Sequence, residues 1–171
     1  HDGEADGPFQ YVTSTRDDGT TVYAVVIRTD DPEALRGADV FIGVSAPDIV
    51  TGEDLAEMAE DAVVFALANP TPEVDPDIAQ LHAAVVATGR SDYPNQINNV
   101  LVFPGIFRGL LDAQSRSVEP DMMVAAAEAL AGTVSEDERG PHYIVPSVFH
   151  AEVAQSVAAA VKEAALRGRR G

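Results

Sequence analysis

No cysteine occurs in the chain, which excludes a disulfide framework and any thiolate-held metal and fits a reducing compartment. Lysine is almost as scarce: Lys162 is the single one among 11 basic residues, set against 28 acidic residues, for a formal net charge of -17. A field of that sign repels nucleic acid and polyphosphates in general, so an anionic ligand needs local groups such as Arg90, Arg108 or the amides of a helix start. The same surplus of Asp and Glu over Lys is the pattern of a protein adapted to high salt. No apolar run approaches the roughly 20 residues that cross a bilayer, and no charged-then-apolar secretory leader opens the chain, so the expectation is a soluble, cytoplasmic protein without a membrane partner.

What is present reads as globular. A length of 171 residues at 46% hydrophobic content is enough for one domain with a sizeable core. The first residue is His1 rather than methionine, which leaves a processed end and a fragment boundary both open. Residues 1–8 are polar, with two glycines and a proline, and read as disordered. Phe9 to Thr15 and Thr20 to Thr29 are β-branched and aromatic runs around Arg16-Asp17-Asp18-Gly19, and the Asp-Gly pair predicts a β-hairpin.

From Ala38 the pattern becomes regular. Apolar runs at 39–44, 62–68 and 83–87 alternate with short helical segments. Thr51 is placed to cap the first of these with Asp54 in the capping-box position, and Asp75 the second with Pro76 at its first position and Ile78, Leu81 and His82 at helical spacing. Apolar runs that do not alternate with polar residues predict parallel strands buried on both faces. The right-handed crossover rule then puts their carboxyl ends on one edge, where ligands bind in open sheets. The residues that follow those ends are Ser45-Ala46-Pro47, Asn69-Pro70-Thr71 and Gly89-Arg90-Ser91-Asp92. Downstream, helices are expected over 106–113, over 120–132 with Met122, Met123, Ala126 and Leu130 on an apolar face, and from Ser147 with Phe149, Val153, Val157 and Val161 repeating every fourth residue.

The stretch from Thr88 to Gly105 carries Asn95, Gln96, Asn98 and Asn99, four amides within five residues. Amide side chains supply donors and acceptors for an oriented polar ligand without adding charge, and they also cap helices and close turns. Both roles stay open from the residues alone. Arg90 and Asp92 could hold phosphate and orient a base, and pairing with each other across a turn is the favoured role. His82, His142 and His150 lack metal spacing, and Asp30-Asp31 and Glu136-Asp137-Glu138 read as solvated faces.

Four segments in order, ADVFIGVSAP (38–47), FALANPTPE (65–73), GRSDYPNQINN (89–99) and VFPGIFR (102–108), resemble the cofactor domain of malic enzymes, in particular the smaller prokaryotic type. The resemblance implies the second half of a Rossmann-like α/β domain with a mainly parallel sheet, residues 38–171 forming a partial NAD(P)-binding domain. Residues 1–37 remain outside the resemblance. It further implies oxidative decarboxylation of malate to pyruvate and carbon dioxide with NAD or NADP and a divalent metal, Mg or Mn. By position, Asn69 and Asn99 resemble amides that contact malate near the nicotinamide, while Ser45, Ala46, Pro47, Asn69 and Asn98 would line the cofactor. The family also implies a homodimer or association with the upstream half of the same enzyme.

In the family the Tyr and Lys acid/base pair and the metal carboxylates lie upstream of the matched segments, and no G-x-G-x-x-G turn is present. No catalytic residue and no metal ligand is therefore assigned, and this chain by itself is expected not to turn over malate. The alternative from another class is a non-catalytic binding or assembly module on a decayed dinucleotide-binding fold. The Thr20 to Thr29 strand could also cover an otherwise exposed sheet edge.

Overall fold

The computed structural model describes residues 9–15, 21–27 and 32–168. Residues 16–20, expected as the hairpin's turn, the tail residues Arg169 and Arg170, the pair Asp30-Asp31 and the polar start 1–8 lie outside the described residues. The chain groups into two compact units, His1–Ile97 and Asn98–Gly171.

The first unit is built on a five-stranded sheet in the order of the chain: β1 (Phe9–Thr15), β2 (Thr21–Ile27), β3 (Val40–Gly43), β4 (Val63–Ala66) and β5 (Val85–Thr88). β1 and β2 form the expected antiparallel pair, with Phe9 opposite Ile27 and Thr15 opposite Thr21. β2 then runs parallel to β3, matching Ala24 to Val40 and Val26 to Ile42, so it covers the edge that β3 would otherwise expose. β3, β4 and β5 continue in parallel.

β5 is buried in succession over Val86, Ala87 and Thr88, as expected, whereas β3 and β4 depart from that pattern. In β3 and β4, half-buried residues alternate with buried ones, because only one face is fully covered by the core around Leu35, Phe41, Leu55, Val64 and Val74. Each large apolar side chain so buried contributes on the order of 1.5–3 kcal/mol.

The crossovers are short. α1 (Gly52–Ala56) begins at a complete capping box, with the Thr51 hydroxyl accepting from the Asp54 amide and the Asp54 carboxylate accepting from the Thr51 amide. α2 (Pro76–Ala79) is capped by Asp75, which accepts from the Asp77 amide at 2.9 Å. α2 is only four residues long, so Leu81 and His82 fall beyond it. Pro76 and Ala79 face the core instead, while Ile78, Leu81 and His82 are exposed, Leu81 by 79%.

The second unit packs α3 (Phe103–Ala113), α4 (Pro120–Ala131) and α5 (Val153–Gly168) around Leu101, Met122, Ala126, Val157 and Val161. Of the apolar face expected on α4, Met122 and Ala126 are buried and Leu130 is half-buried, whereas Met123 is 55% exposed because it sits one residue off that stripe. The last helix begins later than its expected cap. Ser147 closes a separate turn, its hydroxyl accepting from the Phe149 amide at 3.3 Å and its carbonyl from the His150 amide at 2.9 Å. Phe149 is consequently 92% exposed, and the fourfold repeat is buried only from Val153.

Candidate functional site

Strand register fixes one edge of the sheet. Gly43 pairs with Ala66 and Ala66 with Thr88, so β3, β4 and β5 end side by side and release the chain on the same side. The turns at 44–48, 67–72 and 89–94 therefore leave a common carboxyl edge, as expected from the crossover rule. Ser45, Ala46 and Pro47 are exposed after β3, and Asn69 and Pro70 are exposed after β4, joined by a cis peptide bond. The Asn69 side-chain amide has no hydrogen-bond partner among the described residues.

Glu73 lies behind these two turns with an exposure of 0%. One of its oxygens, Oε1, accepts from the Ser45 amide at 2.8 Å and from the Ser45 hydroxyl at 3.3 Å. The other, Oε2, accepts from the Ala68 amide at 3.0 Å. Its main-chain carbonyl accepts from the Val50 amide at 2.9 Å, and the neighbouring Pro72 carbonyl from Asp48 at 3.1 Å. A buried carboxyl of this kind is tolerated only when its lone pairs are taken up, and here a backbone donor reaches each oxygen. Glu73 thus joins the turn after β3 to the turn after β4.

Sequence reasoning missed Glu73. Its partner Ser45 is 28 positions away, so no local spacing marks it. The available signal was Gly43 inside an apolar strand, since a glycine there marks a close approach by another group.

The turn after β5 is held by its own side chains. The Thr88 hydroxyl accepts from the Arg90 amide at 3.0 Å, and Asn95, 5% exposed with φ 56, donates from Nδ2 to the Val86 carbonyl at 3.0 Å. Gln96 donates to the Gly89 carbonyl at 3.4 Å. Two of the clustered amides are therefore turn formers. Arg90 pairs with Asp92, as favoured, with Nε to Oδ1 at 2.9 Å, and its guanidinium lies 4.9 Å from the centre of the Tyr93 ring. That hydrogen bond holds the Asp92 carboxyl below the usual carboxylate range and raises the Arg90 guanidinium.

Asn98 and Asn99 belong to the second unit. Asn98 caps a 3-10 turn, Asn99–Leu101, by accepting from the Val100 amide at 3.0 Å. The Asn99 side chain is exposed and, among the described residues, has no hydrogen-bond partner. A cleft of about 670 Å³ in this unit is lined by Gln114 to Ser117, Met122 and Ala165, none of them an expected site residue. Among the described residues no three His, Asp or Glu side chains gather as a metal site, and no helix is long and apolar enough to cross a membrane.

Residues 8–166 match the family described as malic enzyme, NAD binding domain. The match takes in most of the N-terminal segment that the four motifs left unaccounted for. The chain is 58% identical over 135 residues to the NAD-dependent malic enzyme of Geobacillus stearothermophilus, covering 79% of this chain and 28% of that protein. It is 42% identical over 150 residues to the NADP-dependent malic enzyme of Halomonas elongata, covering 78% of this chain and 36% of that one. The crystal structure of malic enzyme from Pyrococcus horikoshii superposes with a TM-score of 0.75 at 42% identity, over 89% of this chain and 34% of that chain. The chain thus spans about a third of the length of the relatives it matches. The parallel sheet, the turns at its carboxyl edge and the match over 8–166 lead to one conclusion: the chain belongs to the malic enzyme NAD-binding domain family.

Proposed function

We propose that this chain supplies cofactor and substrate contacts to a malic enzyme, an NAD(P)-dependent oxidoreductase that converts malate to pyruvate and carbon dioxide. The observation that carries the reading is the pair of exposed turns, Ser45-Ala46-Pro47 and Asn69-Pro70, at the ends of adjacent parallel strands, with the Asn69 amide unpartnered among the described residues.

These turns fit a nicotinamide group. They offer a hydroxyl, an amide and flat apolar edges, and Glu73 behind them is buried with both oxygens occupied. When bound, the oxidised nicotinamide supplies the hydride acceptor. In that reaction Ser45, Ala46 and Pro47 line the cofactor, with Pro47 restricting the backbone beside it. Asn69 and, assigned separately, Asn99 donate to a malate carboxylate or hydroxyl without adding a charge that would shift neighbouring groups. Asn98 is assigned to the cofactor, although its side-chain oxygen already caps Val100.

A divalent metal belongs to the full reaction in this reading, but the described residues do not fit one, because no carboxylate or imidazole cluster is available to hold it. No step is assigned to a metal held by these residues, and none of them is given the acid or base role. The relatives named above are all malic enzymes and lend no support to the assembly-module alternative. A cytoplasmic location, homodimer formation and adaptation to high salt are part of the same proposal.

Isothermal titration of the full-length gene product with NAD and with NADP tests the reading. Saturable heat with one of them, lost or weakened in Asn69→Ala, is the expected result. Absence of heat with both overturns it in favour of the assembly module.

A further inference from the structure

We propose that Glu73 is a positioning residue for this site, touching neither cofactor nor malate but holding the turn after β3 and the turn after β4 in one fixed relation. The proposal rests on the reading of those turns as the cofactor and substrate contacts. Three independent features carry it. The side chain is wholly buried, so it cannot reach a ligand. Each carboxyl oxygen receives a backbone amide from a different turn, Oε1 from Ser45 at 2.8 Å and Oε2 from Ala68 at 3.0 Å. Those donors lie at or one residue from Ser45 and Asn69, the residues assigned to the ligands.

The third feature is Gly43, where a Cβ would stand 2.5 Å from the Glu73 Cδ and 2.7 Å from its Oε1. The strand end is thus shaped to admit this carboxyl group. A group needed only to fill space would leave an apolar side chain equally suitable. A carboxyl group is required when two separate backbone N–H groups, each on a turn that must present an exposed residue outward, have to be satisfied by one rigid acceptor.

The two oxygens make the substitution Glu73→Gln informative. Glutamine keeps the length and one acceptor but sets an NH₂ against either the Ser45 or the Ala68 amide, so one turn loses its tether. Glu73→Ala frees both. In the full-length gene product, the dissociation constant for NAD or NADP is expected to rise about tenfold in Glu73→Gln and further in Glu73→Ala, measured by isothermal titration at a temperature where each variant is folded. Hydrogen exchange should rise at both 44–48 and 67–71 in Glu73→Ala and at one of the two in Glu73→Gln. A purely structural role lowers the melting temperature but leaves the dissociation constant of the folded protein unchanged.

Wild-type binding with an unchanged constant in folded Glu73→Gln overturns the positioning role and leaves the site reading intact. Wild type without heat, together with faster exchange of one turn in Glu73→Gln and of both in Glu73→Ala, sinks the site reading while the two-turn tether stands. If neither variant folds, exchange in the wild type decides: protected Ser45 and Ala68 amides support the tether, and amides exchanging as fast as those of a free loop overturn it.

Discussion

Gly43 cedes its side-chain space to Glu73: an ideal Cβ at Gly43 would meet the Glu73 Cδ at 2.5 Å and the Phe41 ring at 2.8 Å. Gly43→Ala should therefore displace the carboxyl group and weaken cofactor binding in the same direction as Glu73→Gln. Overpacking of this kind costs about 1–3 kcal/mol, which a denaturant titration measures. Since both substitutions act on one tether, their effects on binding should be less than additive in the double variant.

The Arg90 and Asp92 pair gives a pH prediction whose sign is fixed. The hydrogen bond from Arg90 lowers the Asp92 carboxyl relative to its ordinary value. Its stabilising contribution is accordingly present above the unfolded-state value and is lost as the pH falls through the lowered folded-state value. Titration of the Asp92 carboxyl by NMR should give a midpoint below that of an ordinary aspartate, returning toward it in Arg90→Ala. The pair is at the surface, so molar salt should reduce the difference.

Helices α3 and α5 approach through small residues. A Cβ at Gly109 would stand 2.7 Å from the Ala158 carbonyl oxygen and 2.8 Å from the Val161 Cβ. Because backbone and a fully buried side chain are the obstacles, Gly109→Ala should destabilise the second unit by about 1–3 kcal/mol despite the better helix propensity of alanine. Thermal melting with helical circular dichroism measures this, and a variant as stable as the wild type would contradict that packing.

With 28 acidic against 11 basic residues, repulsion within the fold should fall as salt rises. The melting temperature is expected to increase from low to molar salt. A flat response would show that the charge excess is balanced locally and would remove the case for adaptation to high salt.

Features that depend on neighbours in sequence were legible. Thr51 with Asp54, Asp75 with Pro76, and the parallel strands within the runs 39–44, 62–68 and around 83–87 each follow from local chemistry. Ser147 failed as a helix cap because a serine hydroxyl closes a short turn as readily as it starts a helix, and here it bonds Phe149. The amide cluster could not be divided in advance. Asn95 and Gln96 are drawn to the Val86 and Gly89 carbonyls, while Asn99 is exposed, and only the tertiary position of each carbonyl separates these fates. Glu73 was hidden for the same reason, as its partner Ser45 comes from another strand end.

The assignment of malate to the exposed amides of Asn69 and Asn99 is tested most directly by steady-state kinetics of the full-length gene product carrying Asn69→Ala or Asn99→Ala. Each amide is exposed and, among the described residues, unpartnered, so neither substitution should alter the melting temperature. A fall in kcat/KM for malate of about tenfold or more in each variant is the predicted result. Unaltered malate kinetics in both variants would contradict it.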